Sequence, residues 1–128
     1  MKKINFYSYL KCSTCRKAAK WLDEQNIEYQ LIDIVKNPPL FRYLNLAFEQ
    51  HSSDLKGIFN TRGKAFKSIN LDIYVLSKEE IIQLLLSDGK LIKRPFLVYE
   101  EIKIILGFKE SEYKDLFTLF SSLGLTKS

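Results

Sequence analysis

Two cysteines separated by two residues constrain this chain most, because they stand where a predicted strand gives way to a predicted helix. The apolar run at residues 4–7 is typical of a strand, and residues 17–22 have the pattern of a helix. Cys12 and Cys15 therefore fall at a helix N-terminus, where unpaired N–H groups and the helix dipole favour a thiolate. Arg16 adds a further positive charge beside them. We expect Cys12, the outer of the two, to ionise more readily than a free cysteine and to act as the nucleophile.

Cys15 lies one helical turn beyond Cys12, on the same side of the predicted helix. A thiol there can attack a mixed disulfide on Cys12 and release the partner as a thiol, so Cys15 is the candidate resolving cysteine.

Two other interpretations of the cysteine pair exist. A structural zinc site needs four ligands, and the chain offers only these cysteines and His51, so we expect no metal. Two inert buried cysteines remain an alternative, but this spacing at a strand-to-helix turn favours redox chemistry. His51 ends a predicted helix and is assigned no catalytic role.

The composition is that of one globular domain in a reducing compartment. The chain has 128 residues, of which 46% are hydrophobic and 27% charged, enough for one core and too few for two full-sized domains. It contains no apolar run near the ~20 residues of a membrane helix and its start lacks a signal-peptide core, so we expect a cytoplasmic protein without a membrane partner. A transient disulfide suits that compartment better than a structural one. The net charge of +5 comes from scattered residues, which predicts a solvated surface rather than direct nucleic-acid binding.

A second strand is predicted at residues 27–34, which alternate partly between apolar and polar side chains and are bordered by turn-forming residues. Strand, helix and strand within the first ~35 residues form a right-handed crossover unit with parallel strands. This topology puts Cys12 at the carboxyl end of the first strand, the edge at which open α/β sheets carry their chemistry.

The middle of the chain is predicted to be mainly helical. One helix is expected at residues 39–51, with Pro39 in its first turn, and residues 60–63 have the composition of a turn. A clearer helix begins at Ser77, because Ser77 and Glu80 form a capping-box pattern ahead of an apolar face.

Strands return near the end of the chain. Residues 96–99 and 102–106 are apolar and are joined by two glutamates, which predicts an antiparallel hairpin. The last helix is expected to be capped at Ser111 and to end at Gly124. Its apolar face is predicted to be core packing and comprises Tyr113, Leu116, Phe117 and Phe120.

Pro95 opens the first of these late strands. A proline there lacks the backbone donor of a sheet ladder, and its simplest interpretation is a first-residue position in the strand. In a thiol-redox fold the sharper interpretation is a cis peptide bond that holds backbone against the disulfide, with Arg94 projecting toward Cys12.

Four motifs stand in separate parts of the chain. They are Tyr-x-x-x-Lys-Cys-x-Thr-Cys-Arg-Lys-Ala near the start, Asn-Thr-Arg-Gly in the middle, Leu-Ile-Lys-Arg-Pro before the late strands, and Gly-Phe-Lys-Glu-Ser-Glu-Tyr before the last helix. In this order they resemble the arsenate reductase (ArsC)/Spx/MgsR family over roughly residues 3–120. The resemblance implies one α/β domain across residues 1–128. Its thioredoxin-like mixed sheet would lie at about 1–35 and 91–123, with an inserted helical subdomain at about 36–90.

The resembled family contains arsenate reductases that use glutathione and glutaredoxin, Spx-type regulators that bind RNA polymerase, and reductase-like proteins without settled substrates. Cys12 matches the nucleophile of the reductases and the first cysteine of Spx. Cys15 matches the second cysteine of Spx, where the glutaredoxin-dependent reductases usually carry serine. Arg94 matches the arginine of the Arg-Pro motif, which in the reductases helps to bind the oxyanion and in Spx approaches the cysteine pair. Arg62 matches the Thr-Arg arginine of Spx.

Two arginines that hold the oxyanion in the reductases are replaced in this chain. Their positions carry Asn60 and Phe108, with Lys109 beside the latter. Each lost charge-assisted pair costs on the order of ~2 kcal/mol, so the loss of two predicts oxyanion binding weaker by a factor of ~10³. Arg62 and Lys109 are expected to compensate in part. The candidate oxyanion- or partner-binding residues are therefore Arg16, Arg62, Asn60 and Lys109.

The sequence thus favours a thiol–disulfide oxidoreductase of the arsenate-reductase-like type. Cys12 would attack an oxidised substrate, Arg94 and the helix N-terminus would stabilise the negative charge, and Cys15 would resolve the adduct. No bound cofactor is expected, and the electrons would come from an external thiol such as glutathione, glutaredoxin or thioredoxin. The alternative is an Spx-type regulator, in which a Cys12–Cys15 disulfide changes a surface that binds the RNA polymerase α subunit.

Overall fold

The computed structural model describes residues 3–122, with side chains through residue 118. Its strands are short, and helices separate most of them along the chain. The strands are β1 (Ile4–Ser8), β2 (Gln30–Asp33), β3 (Phe96–Tyr99) and β4 (Lys103–Leu106). The helices are α1 (Ser13–Glu24), α2 (Phe41–Gln50), α3 (Lys64–Lys67), α4 (Lys78–Ser87) and α5 (Glu110–Ser122). None of these described helices is long and apolar enough to cross a membrane.

The four described strands form one mixed sheet in the order β2-β1-β3-β4. β1 and β2 are parallel and are connected through α1, as the strand–helix–strand pattern predicts. β1 pairs antiparallel with β3, and β3 pairs antiparallel with β4 in the expected hairpin. The carboxyl end of β1 therefore lies at the centre of the sheet, and the chain passes from there directly into α1.

Each face of the sheet carries its own hydrophobic cluster. Along β3, Phe96 and Val98 belong to the cluster shared with α2 and α4, whereas Leu97 and Tyr99 belong to the cluster shared with α1 and α5. All four side chains are buried because β3 is covered on both faces, and successive side chains of a strand point to opposite faces. The helices between β2 and β3 are thus packed against the sheet.

Several element boundaries differ from those expected. The helix predicted at 39–51 begins at Phe41, because Leu40 is extended (φ −62°, ψ 154°) and Pro39 lies before it rather than in its first turn. The last helix begins at Glu110, so Ser111 is inside the first turn and is not its cap. The N–H of Glu112 donates to the carbonyl oxygen of Lys109 at 3.0 Å, which starts the helix earlier than the hydroxyl would. β2 is also shorter than the predicted 27–34.

The capping box at the start of α4 is confirmed. Glu80 N–H donates to the Ser77 hydroxyl at 3.2 Å, and Ser77 N–H donates to the Glu80 carboxylate at 2.8 Å. The predicted end of the last helix at Gly124 and the packing of Phe120 fall outside the described residues and side chains.

Candidate active site

Cys12 is the N-cap residue of α1, with an extended backbone (φ −98°, ψ 110°). Its Sγ accepts a hydrogen bond from the backbone N–H of Cys15 at 3.2 Å. The sulfur therefore takes the place that a serine or aspartate oxygen holds in an ordinary N-cap, next to N–H groups that the helix leaves unpaired. Cys12 is half-buried and Cys15 is buried, and both are free thiols. The sulfur that solvent and substrates can reach is therefore the one that accepts a helix N–H.

Cys15 lies beneath Cys12 and is 1% exposed. Burial raises the pKa of its thiol to about 12, and a hydrogen bond with the Cys12 side chain acts in the same direction. Hydrogen bonds with the backbone of Tyr9 and the side chain of Ser8 lower that pKa in part. Cys15 consequently keeps its proton at neutral pH. The pair combines an accessible sulfur at a helix N-terminus with a protonated sulfur behind it.

Arg16 closes the loop that precedes α1. Its Nη1 donates to the carbonyl oxygen of Leu10 at 2.7 Å, while its side chain stays exposed. The N–H of Cys12 donates to the carbonyl oxygen of Tyr9 at 3.0 Å in the same loop. Arg16 thereby fixes the backbone that carries Cys12 and keeps a positive charge on this edge of the sheet.

The peptide bond between Arg94 and Pro95 is cis, as the sharper interpretation of Pro95 expects. Pro95 is buried, and its carbonyl oxygen accepts from the N–H of Gly107 at 2.9 Å. Arg94 lies over the ring of Tyr9, with its Cζ 4.9 Å from the ring centre. Since the carbonyl group of Tyr9 also binds the N–H of Cys12, Tyr9 connects the guanidinium group to the cysteine loop.

Asn60 is a second partner of Arg94. With its side-chain oxygen facing the guanidinium group, Asn60 accepts from Nη1 and Nη2 of Arg94 at 3.1 and 3.2 Å. The N–H of Asn60 donates to the carbonyl oxygen of Leu91 at 2.8 Å. The N–H of Gly63 donates to the carbonyl oxygen of Asn60 at 3.2 Å, and this bond closes the predicted turn. A side chain at residue 63 would place its Cβ 2.6 Å from the side-chain amide of Asn60, so glycine at this position avoids that clash.

The remaining candidates are Arg62 and Lys109, together with the position that Phe108 occupies. Arg62 is exposed in the same turn as Asn60, and Lys109 is exposed before α5. Phe108, at the position of the third oxyanion arginine, packs edge-on against Tyr113 with ring centres 4.8 Å apart. It contributes to the core rather than to anion binding. In the described part of the chain, neither Arg62 nor Lys109 forms a hydrogen bond or ion pair with the cysteines.

His51 stands apart from this site. It ends α2, and its Nε2 lies 3.2 Å from the carbonyl oxygen of Ile104, a residue of β4. Within residues 3–122, no three histidine, cysteine, aspartate or glutamate side chains are grouped as metal ligands.

Sequence reasoning missed three residues around the cysteine pair. Ser8 ends β1 and hydrogen-bonds to Cys15, and Tyr9 links Arg94 to the cysteine loop. Tyr113 was expected to be core packing, and it is buried; burial raises the pKa of its phenol, and the charge of Cys15 raises it further. A polar residue at the carboxyl end of a strand was a usable signal for Ser8. The sequence around Tyr9 and Tyr113 is that of ordinary loop and core positions, so it contains no comparable signal for them.

Comparison with known proteins places this site in a family. Residues 7–116 match the model of the ArsC family. The chain is 43% identical to uncharacterized protein YusI of Bacillus subtilis (strain 168), over 88% of this chain and 96% of the relative. It is 31% identical to regulatory protein MgsR of the same strain, over 85% and 86%. The crystal structure of a possible arsenate reductase from Streptococcus mutans UA159 superposes with a TM-score of 0.81 at 43% identity, covering 89% of this chain and 97% of that one.

The family match spans most of the described residues and includes the cysteine loop, the Asn60 turn and the Arg94–Pro95 strand start. The mixed sheet and the superposition confirm the predicted thioredoxin-like α/β fold. The chain therefore belongs to the ArsC family of thiol-redox folds, whose relatives include both reductase-like proteins and regulators.

Proposed function

We propose that this protein is a thiol–disulfide oxidoreductase in which Cys12 is the nucleophile and Cys15 the resolving thiol. The observation that carries the proposal is the position of Cys12 Sγ, which accepts the N–H of Cys15 at the start of α1 while the Cys15 thiol lies buried behind it. A nucleophilic thiolate needs access and stabilising donors, and a resolving thiol needs proximity and a proton to give to the departing sulfur. The two cysteines meet these different requirements.

The proposed reaction has two exchange steps. The Cys12 thiolate attacks a substrate disulfide, so that a Cys12–substrate disulfide forms and the first substrate sulfur leaves as a thiolate, which takes a proton from the solvent. Cys15 then loses its proton and attacks Cys12 Sγ. The Cys12–Cys15 disulfide forms, and the second substrate sulfur leaves as a thiol with that proton. Two electrons pass from the protein to the substrate, and an external thiol such as glutathione, or a small redox protein, returns them.

The surroundings of Arg94 favour a disulfide substrate over arsenate. The amide oxygen of Asn60 uses two guanidinium donors that a doubly charged oxyanion would otherwise bind, and Phe108 supplies a ring where the reductases supply a third arginine. Multiple guanidinium forks are what hold such an anion tightly. A disulfide needs only one cation near the departing thiolate, which Arg94 provides.

An alkylation titration tests the proposal. The protein is equilibrated in glutathione buffers of increasing oxidation, with and without arsenate, and both thiols are then counted by mass spectrometry. We expect a Cys12–Cys15 disulfide whose formation follows the glutathione potential and is indifferent to arsenate. Cys12→Ser and Cys15→Ser should each abolish this disulfide, and Cys12→Ser should abolish glutathione-linked turnover of a model disulfide. Full turnover by Cys12→Ser would contradict the proposal, and an arsenate-dependent disulfide would shift the substrate to arsenate.

A regulatory role is the second candidate, and the 31% identity to a protein named regulatory protein MgsR favours it. Cys15 and Arg62 also match the Spx pattern, in which a disulfide would alter a surface that binds the RNA polymerase α subunit. The distinguishing experiment is a pull-down of that subunit by oxidised and by reduced protein. Capture by the oxidised form alone, without disulfide turnover, would support the regulator. If neither form captured the α subunit, the regulatory role would be contradicted and the oxidoreductase would remain the proposed function.

A further inference from the structure

Cationic side chains are concentrated on two chain segments that pack together beside the cysteine loop. Residues 60–67 and 89–94 each contain three lysines or arginines and no acidic residue. Five of these cations are exposed, and the sixth, Arg94, is half-buried. We call the six side chains the basic surface; they are Arg62, Lys64, Lys67, Lys90, Lys93 and Arg94.

Backbone pairing holds the two segments of the basic surface together. An antiparallel bridge joins Phe59 to Ile92, and the N–H of Lys93 donates to the carbonyl oxygen of Ile58 at 2.9 Å. The short helix α3 packs against residues 89–91. The fold therefore brings like charges close to one another, although their repulsion opposes folding. An anionic partner would relieve that repulsion.

Arg94 connects the basic surface to the cysteine loop. Its Nη1 donates to the carbonyl oxygen of Lys90 at 3.3 Å, and its Cζ lies 4.9 Å from the centre of the Tyr9 ring. The carbonyl oxygen of Tyr9 accepts from the N–H of Cys12 at 3.0 Å. The first turn of α1 adds Arg16 and contains no acidic residue. An anion on the basic surface would therefore be close to the nucleophile.

Leu10 adds an apolar contact beside the same nucleophile. Its side chain is 87% exposed, two residues before Cys12. Its carbonyl oxygen accepts from Nη1 of Arg16 at 2.7 Å, which fixes the backbone that carries it. A partner that covers Leu10 gains free energy by removing apolar area from water. Oxidised glutathione offers carboxylates but no apolar side chain, whereas a polypeptide can offer both.

We propose that the substrate disulfide belongs to an acidic polypeptide, whose carboxylates bind the basic surface while an apolar side chain next to its cysteine packs on Leu10. This inference rests on the proposed function and names its substrate class. Complementary charge raises the rate of association and orients the two partners, and a basic polypeptide is repelled.

The exchange is balanced as in the proposed function. Cys12 forms a disulfide with one polypeptide sulfur, and the other sulfur leaves as a thiolate that takes a proton from the solvent. Cys15 then gives its proton to the second polypeptide sulfur as the Cys12–Cys15 disulfide forms. An external thiol returns the two electrons.

Two synthetic peptides test the substrate class. Each has one cysteine next to a leucine, held in a mixed disulfide with 2-nitro-5-thiobenzoate, and is flanked either by glutamates or by lysines. Attack by Cys12 releases the coloured thiolate in a stopped-flow instrument, and each rate is divided by that of 2-mercaptoethanol with the same peptide. At low salt we expect the acidic peptide to react about tenfold faster than the basic one, and high salt should remove the difference.

Lys90→Glu and Lys103→Glu form a matched pair that changes the net charge equally. Lys103 pairs with Tyr99, which pairs with Ile4 at the start of β1, whereas Cys12 follows the other end of β1. We expect Lys90→Glu to lower the acidic-to-basic rate ratio about threefold and Lys103→Glu to keep the wild-type ratio. Equal loss in the two variants would overturn the inference, because net charge alone would then explain the preference.

Further outcomes separate this inference from the proposed function. Equal wild-type rates with both peptides would overturn the inference alone. So would binding of a short DNA duplex that Lys90→Glu abolishes, which would assign the basic surface to nucleic acid. Replacing the peptide leucine by serine should slow wild-type protein but not Leu10→Ser, and no slowing of wild type would overturn the choice of a polypeptide. A Cys12–peptide disulfide that Cys15 never resolves would overturn the proposed function itself.

Discussion

With its amide oxygen turned toward Arg94, Asn60 accepts hydrogen bonds from both terminal nitrogens of that guanidinium group, at 3.1 and 3.2 Å. The same guanidinium group lies over the Tyr9 ring, with its Cζ 4.9 Å from the ring centre. Arg94 is thereby fixed beside the loop that carries Cys12, although its partner is an amide rather than a second arginine. The consequence is a site with one well-oriented cation and a reduced number of donors for a tetrahedral dianion.

Asn60→Asp should convert this neutral contact into an ion pair. A carboxylate would neutralise Arg94, and charge-assisted pairs of this kind contribute about 1.5–3 kcal/mol. We expect reaction of Cys12 with an anionic disulfide such as oxidised glutathione to slow roughly three- to tenfold, because the cation no longer assists an anionic substrate. The neutral 4,4′-dithiodipyridine should react at the wild-type rate. Equal slowing with both reagents would instead indicate a structural defect of the turn.

The local part of this site is predictable from sequence, and the tertiary part is not. Cys12 and Cys15 are joined by the first turn of one helix, so their spacing alone brings the Sγ of Cys12 to the N–H of Cys15. Asn60 and Arg94 meet only because two distant segments pack together, and no local pattern encodes that meeting.

The starts of the helices are likewise predictable in some cases and not in others. Ser77 and Glu80 hydrogen-bond to each other's side chains and backbone within one turn, and α4 begins where the capping box predicts. Pro39 and Ser111 are also favourable residues for a helix start, but the helices begin elsewhere. The extended backbone of Leu40 and the carbonyl group of Lys109 set those boundaries. Residue preference alone does not contain that information.

The two thiols should differ sharply in their reaction with iodoacetamide as pH is changed. Burial raises the pKa of Cys15 to about 12, so its thiolate fraction at pH 8 is roughly one in ten thousand and increases about tenfold for each pH unit. We expect Cys12 alone to be alkylated in folded protein near neutral pH, and Cys15 to follow only at strongly alkaline pH. Mass spectrometry of peptides after timed quenching measures both rates. In guanidinium chloride the two rates should become similar, and similar rates in folded protein would contradict the burial argument.

Glu101 should give the protein an acid-dependent loss of stability at the β3–β4 hairpin. Hydrogen bonds from Arg42 and Tyr43, with the charge of Lys3, lower the pKa of its carboxyl from 4.5 to about 2. A carboxyl with a lowered pKa in the folded state contributes stability above its ordinary pKa and loses it as pH falls toward the folded value. We therefore expect Glu101→Gln to be less stable than wild type at pH 6, and the difference to vanish as pH falls from about 4.5 to 2. Urea unfolding at several pH values tests this, and added salt should shrink the difference at pH 6.

Gly89 should tolerate no side chain, because it lies against the end of β2. A Cβ at this position would collide with the carbonyl oxygen of Ile34 and approach the Cα of Val35 at 3.0 Å. Since both obstacles are backbone atoms, relief requires the segment before β3 to shift from the sheet. We expect Gly89→Ala to lose about 1–3 kcal/mol of unfolding free energy in urea. Gly57→Ala is the control: its Cβ would meet only the carboxylate of Asp54, at 2.6 Å, and that exposed side chain can rotate away. The control should change stability by about 0.5 kcal/mol or less, and equal losses in the two variants would show that the contact with Ile34 is not what excludes a side chain at residue 89.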